Sequence, residues 1–290
     1  MIANIDEETR LRSLELIKGT WDLHIHPNPS HFPRKFDDFD VIHEMDEVGM
    51  AGGIIKTHYE PTVGRAIMAN KYAGGKAKLY GTVALNLTVG GINPYAAESA
   101  FNMGAKMIWM PTRDTARHLE KGEQTGDFFR REGMTIYDKD GKVKKEVYEV
   151  LEVVKAYDGA ISSGHLSPQE TIDFCKISRS MGVRTVLTHP DWDRTIVPLE
   201  IQIEMAKLGV YIEKLWAMIS MKFISAEEMA ASIRAVGPYN VVLGTDSAHK
   251  SEFGPRDGNL AFIETLCQQG FTDDEIRHMT KTVPEYLLNI

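Results

Sequence analysis

Residues 20–29 read TWDLHIHPNP, a short apolar run that ends in two histidines one residue apart. Three later stretches share the form: AISSGHLSP carries His165, TVLTHPDW carries His189, and VVLGTDSAH carries Asp246. Side chains two apart on a strand face the same way, so His24 and His26 are expected to point together into the fold. Groups spread from residue 24 to residue 246 can meet only where a fold collects the ends of its strands. A barrel of parallel strands does that.

The rest of the chain fits such a barrel. Strand-like runs fall at about residues 20–26, 53–58, 79–86, 106–110, 160–164, 184–189, 210–215 and 241–244. Helical periodicity occupies 39–48, 64–72, 96–103, 144–156, 168–181, 199–207 and 226–235 between them. The strand runs are apolar nearly throughout, as strands buried on both faces must be. The expectation is an α/β chain forming one (β/α)8 TIM barrel domain over residues 1–290. A doubly wound open sheet would usually carry a glycine-rich phosphate turn after its first strand, and HIHPNPSH is not one. An opening helix over 6–18 would bury Leu11, Leu14 and Ile17 and stop at Gly19. Two closing helices, 258–268 and 272–288, are expected outside the barrel. One stretch, about 113–143, interrupts the rhythm after the fourth strand. Within it, MTIYDKDGKVKK reads as a β-hairpin with Asp140 and Gly141 at its turn, forming either a wall of the site or a surface decoration.

Composition narrows the class. A hydrophobic fraction of 43% with 26% charged residues supports a soluble domain with a sizeable core. The net charge of −8 and the lack of a long lysine–arginine run argue against nucleic acid and for a small-molecule substrate. Cys175 and Cys267 lack CxxC neighbours, which argues against a disulfide framework and a thiolate zinc site. The charged N-terminus has no apolar core of signal-peptide length, and no stretch has the apolar length of a membrane span. A cytoplasmic location follows as the expectation, and the many exposed helices are compatible with a homo-oligomer.

Paired imidazoles and a carboxylate without thiolate suit a divalent metal. Zinc is the first expectation, and manganese, iron or nickel is also suited. The order of histidines after strand one, histidine after strand five, histidine after strand six and aspartate after strand eight resembles the amidohydrolase superfamily. The likeness runs from Thr20 to Asp246. It implies metal ligation by His24, His26, His165, His189 and Asp246, with Asp246 also carrying a proton between the attacking water and the leaving group. Such enzymes often bridge two metals with a carboxylated lysine or glutamate at the end of strand four. Here that strand ends KMIWMPT, with neither residue.

Strand two instead ends GIIKTHYEP, where Lys56 and His58 share a face. Burying a lysine is costly unless it is paired or modified. Carboxylated Lys56 would bridge a second metal, whereas an unmodified ammonium would pair with Asp246 or a substrate carboxylate. His58 is a candidate ligand or a donor to a substrate carbonyl. Asn86, Arg113 and Trp216 are the candidate substrate-binding residues, and His249, Asp191 and Asp193 have weaker claims nearby. His31, His43, His118 and His278 read as surface residues. The resemblance implies hydrolysis of a small amide, cyclic amide, lactone or ester by metal-bound hydroxide. The alternatives are decarboxylation or hydration of a small carboxylic acid, and phosphoester hydrolysis.

Overall fold

Eight parallel strands form where the apolar runs lie: β1 (Trp21–Ile25), β2 (Gly52–Ile55), β3 (Lys78–Gly81), β4 (Met107–Trp109), β5 (Ala160–Ser162), β6 (Arg184–Leu187), β7 (Tyr211–Leu215) and β8 (Val241–Gly244). The structure is a computed structural model that describes residues 5–122, 124, 127–128, 131–248 and 253–290. The strands pair in chain order as two parallel sheets, β1–β3 and β4–β8. Single bridges join the sheets at both seams, Ala84 with Trp109 and Ile25 with Ser247. Trp109 N–H donates to Val83 O at 3.0 Å across one seam, and Asp246 N–H donates to His24 O at 2.9 Å across the other. The cylinder closes as the expected (β/α)8 barrel.

The first strand is not regular. Trp21 and Leu23 belong to the inner apolar cluster with Ile54, Met107, Trp109, Val186 and Val242. His24 also packs against the Trp109 ring, at 5.9 Å between centroids. Two successive residues cannot face the same side of a flat strand. The register against β2 resolves this: Asp22 stands opposite Gly53 but Ile25 opposite Ile55, so β1 takes three steps where β2 takes two. A bulge of that kind re-aims the side chains that follow it, here the two histidines.

Around the barrel lie α1 (Glu7–Leu16), α2 (Asp38–Glu47), α3 (Val63–Tyr72), α4 (Pro94–Asn102), α5 (Ala116–Glu120), α6 (Lys145–Ala156), α7 (Pro168–Ser180), α8 (Leu199–Lys207), α9 (Trp216–Ser220), α10 (Ala226–Val236), α11 (Pro255–Gln268), α12 (Asp273–Arg277) and α13 (Val283–Leu288). In α6, Val147, Val150, Leu151 and Val154 form the buried stripe that a helical period demands. Capping boxes open α2, α7, α10 and α12, each cap worth about 1 kcal/mol. Among the described residues no helix is long and apolar enough to cross a membrane.

Two expectations change. In α1 the buried face runs through Ser13, Leu16 and Ile17, and Leu11 is 59% exposed. The last helix does not pack outside: Val283, Leu287 and Leu288 of α13 join the inner cluster with Trp21 and Leu23. The insertion after β4 carries the expected hairpin, turning at Asp140 and Gly141 and held by one antiparallel bridge, Tyr137 with Val143. That turn is fastened to the flank of α7, where Glu170 accepts from Ile136 N–H at 2.8 Å and Asp173 accepts from the Tyr137 hydroxyl at 2.6 Å.

Candidate metal centre

Five buried imidazoles form a closed circle at the strand ends. Ring centroids are 5.2 Å apart from His24 to His26, 4.9 Å to His58, 5.7 Å to His165, 5.1 Å to His189 and 5.7 Å back to His24. Asp246 closes over one side, with Oδ1 3.2 Å from His26 Nε2 and 3.6 Å from His24 Nε2. Donor atoms of His24, His26 and Asp246 all lie within 4.8 Å of one another. All six side chains line a cavity of about 250 Å³, together with Arg113, Gln124, Trp192, Met218, Met221 and Phe223.

The local backbone serves this arrangement. Asp246 has φ +55°, a left-handed conformation that costs a residue with a Cβ about 1 kcal/mol or more. Gly164 precedes His165 at φ +63°, and a Cβ there would stand 2.4 Å from the carbonyl oxygens of Met110 and Pro111. Only glycine lets the chain pass that close and deliver His165 to the circle.

Neighbouring groups orient the rings. Glu213 can only accept, so His24 Nδ1 carries the proton in their 3.0 Å contact and Nε2 keeps its lone pair. The other Glu213 oxygen accepts from His189 N–H at 3.1 Å. The Thr195 hydroxyl donates to His189 O at 2.8 Å, and so receives the Nδ1 proton of the same histidine at 2.9 Å. His189 Nε2 is thereby left as a donor for an ion. His58 Nδ1 stands 3.0 Å from Thr112 Oγ1, which also accepts from Asn86 Nδ2 at 2.7 Å. Among the described residues His165 Nδ1 is buried without a hydrogen-bond partner.

Burial sets the charge state. It holds His26, His58 and His165 well below the ordinary imidazole range and brings His189 down to about 4. Neutral imidazole is the form that binds metal. Burial pushes Glu213 up, but His24, His189 and Lys56 together outweigh it and keep that carboxyl low. Lys56 is fully buried, its Nζ 3.1 Å from His24 Nε2 and 5.2 Å from the centre of the Trp109 ring. Burial pulls its amine down to about 8, against the opposing pull of Asp246 and Glu213. The donor set of neutral nitrogens and one carboxylate oxygen fits a divalent ion.

Other sequence candidates are placed differently. Asn86 is buried behind the circle: it donates to His58 O at 2.5 Å and accepts from Thr112 N–H at 2.8 Å, which leaves it a positioning part rather than a cavity wall. Trp216 packs on Phe253 and Phe262 and does not line the cavity. Arg113 does line it, paired with Asp127 at 2.9 Å and lying 4.0 Å over the Phe32 ring. His118, expected at the surface, is fully buried: its Nε2 stands 3.2 Å from Asp127 Oδ2, and its ring stacks on His165 at 5.9 Å. Asp191 bonds Lys214 with both carboxylate oxygens, and His249 lies outside the described residues. Trp192, which nothing in TVLTHPDW marks as part of the site, has its ring 5.3 Å from those of both His165 and His189.

Comparison with known proteins bears on the fold first. The chain is similar to an amidohydrolase from Pseudomonas aeruginosa, with a TM-score of 0.67 at 12% identity over 96% of this chain and 98% of that one. It is similar to a 2,6-dihydroxybenzoate decarboxylase from Rhizobium, with a TM-score of 0.53 at 12% identity over 94% and 99%. A phosphotriesterase homology protein from Escherichia coli, complexed with phosphate in its active site, gives a TM-score of 0.56 at 13% identity over 94% and 99%. At these identities the likeness is one of fold, the amidohydrolase-type barrel. No curated protein matches the sequence. Residues 19–213 match DUF6282, a family of unknown function; the chain belongs to that family.

Proposed function

We propose that this protein is a metal-dependent hydrolase that cleaves a small amide, cyclic amide, lactone or ester inside the imidazole circle. The observation that carries this reading is the meeting of His24, His26 and Asp246 donor atoms within 4.8 Å on the wall of an open cavity. These three residues would hold the ion, with His165 and His189 beside them. A divalent ion held there, zinc first, supplies Lewis acidity toward a carbonyl and makes water a stronger acid near neutral pH.

The chain's own groups supply the rest. Among the described residues Asp246 is the one carboxylate lining the cavity, so it would take the proton of the attacking water and return it to the leaving nitrogen or oxygen. His58 would donate to the substrate carbonyl, held in place by Thr112. Arg113 would hold a substrate carboxylate through its planar fork. Addition of carbon dioxide to the neutral Lys56 amine, with loss of one proton, would create a carboxylate for a second ion; left as an amine, it supports His24 through its hydrogen bond.

A second reading is decarboxylation or hydration of a small carboxylic acid. Trp109 favours it, because this buried ring ends β4 where a bridging carboxylate would sit and so speaks for a single ion.

Metal analysis of the purified protein, with mass spectrometry for a carboxylated Lys56, separates one ion from two. A turnover screen over lactones, cyclic amides, amides and esters follows, with Asp246→Asn as the reference variant. Asparagine tolerates left-handed backbone, so the fold is kept. The expected result is retained metal with turnover down by about 100-fold or more. A metal-loaded wild type inert toward every class, or an Asp246→Asn variant as active as wild type, would remove the hydrolase reading.

A further inference from the structure

Cavity walls on two sides of Phe223 point to the shape of the substrate. On the inner side, Trp192, Met218, Met221 and Phe223 give the imidazole cavity an apolar wall. Trp192 follows β6, and the other three follow β7, Met218 within α9 and Met221 and Phe223 just after it. On the outer side a second cleft of about 450 Å³ begins, with Phe223 shared between the two. Its apolar lining includes Ile196, Val197, Leu199 and Ile224.

Polar side chains in this second cleft are already engaged. Asp191 bonds Lys214 Nζ with both oxygens at 2.8 Å, and Gln202 Oε1 and Ser232 Oγ accept from the same ammonium at 2.9 and 2.7 Å. Glu228 accepts from Ser225 N–H at 2.9 Å as part of its capping box. What remains to meet a ligand is mostly apolar, beside the exposed Glu228 carboxylate. Exposure along this path is high for such side chains: Ile196 50%, Phe223 44%, Met221 40% and Leu199 36%. A contiguous apolar surface that runs into a cavity of reactive groups is a mark of ligand binding.

We infer that the substrate is a two-part molecule: a compact polar group that reacts at the imidazole circle, joined to an apolar chain that crosses Phe223 and lies in the cleft of Ile196, Leu199 and Ile224. This rests on the hydrolase reading for the reacting group only; the apolar part stands on the cleft. Each added methylene that leaves water for the cleft should tighten binding by about three- to fourfold until the cleft is filled.

The test is calorimetric titration of the full-length, zinc-reconstituted protein with straight-chain alkanoates from acetate to decanoate. Affinity is expected to climb with chain length at one ligand per protein. Ile196→Asp and, separately, Leu199→Glu should each flatten that climb. Both positions are exposed, and an acidic residue in the first turn of α8 suits the helix end. Affinity independent of chain length, no binding of any alkanoate, or an equal climb in both variants would overturn the inference. Chain-length-dependent binding without turnover of any ester, lactone or amide would leave the inference standing and remove the hydrolase reading alone.

Discussion

Glu213 illustrates what a single residue does in this site and why its role is hard to read beforehand. Its two oxygens accept two different donors, His24 Nδ1–H and the backbone N–H of His189. One carboxylate therefore orients candidate ligands from two strands. In Glu213→Gln, one of those donors faces an NH₂ group instead of an acceptor, and the imidazole loses its anionic partner. Replacing such a partner typically weakens metal binding about 10–100-fold. Competition against a chromogenic chelator would measure that loss, and unchanged zinc affinity would show that the carboxylate does not orient the ligands. The histidines and Asp246 were legible because each ends an apolar run. Glu213 sits inside its run, in YIEKL, where the strand expected at 210–215 places it near the rim, but nothing in the run names His24 and the His189 backbone as its partners. The burial of His118 was illegible for a related reason. Its partner Asp127 lies nine residues on in an irregular loop, where no periodicity predicts contact.

Elements were legible to within a few residues wherever periodicity was strong, and illegible where the chain departs from regular geometry. The β1 bulge has no sequence signature, yet it turns His24 and His26 into the barrel. The closing helix α13 carries an apolar stripe that would suit an outer groove or the barrel floor equally, and only closure of the cylinder decides it. Strand β7 shows regular alternation put to use: Glu213 faces in, and its neighbour Lys214 faces out toward α8 and α10. Lys214 is fully buried and makes four hydrogen bonds, to Asp191, Gln202 and Ser232. It fastens the loop after β6, which carries His189 and Trp192, to the barrel wall. In Lys214→Met the carboxylate of Asp191 stays buried without its cation, a change that costs about 3–5 kcal/mol. Urea denaturation should show that loss, and the double variant with Asp191→Asn should recover part of it. If the single variant unfolds at the wild-type urea concentration, the ammonium is not the fastening.

For the whole molecule, the two ends of the barrel do opposite work. The lower end is filled by Trp21, Leu23, Ile54 and Met107 and stopped by Leu287 and Leu288, an apolar interior that stabilises the fold. The upper end buries five imidazoles, Lys56 and Glu213, groups whose desolvation opposes folding. An ion that binds the folded upper end but not the unfolded chain offsets that cost by mass action. At a free concentration about 1,000 times its Kd the gain is about 4 kcal/mol. For a chain of 290 residues each kcal/mol moves Tm by about 1.5–2 °C, so stripping the metal with a chelator should lower Tm by roughly 6–8 °C. Adding zinc back should restore it. Asp246→Asn exchanges the ligand's charge for a neutral amide, so its zinc-induced rise in Tm should be smaller than that of wild type. A Tm indifferent to chelation and to added zinc would mean that the upper end folds on its own hydrogen bonds, and that the imidazole circle is not a metal centre.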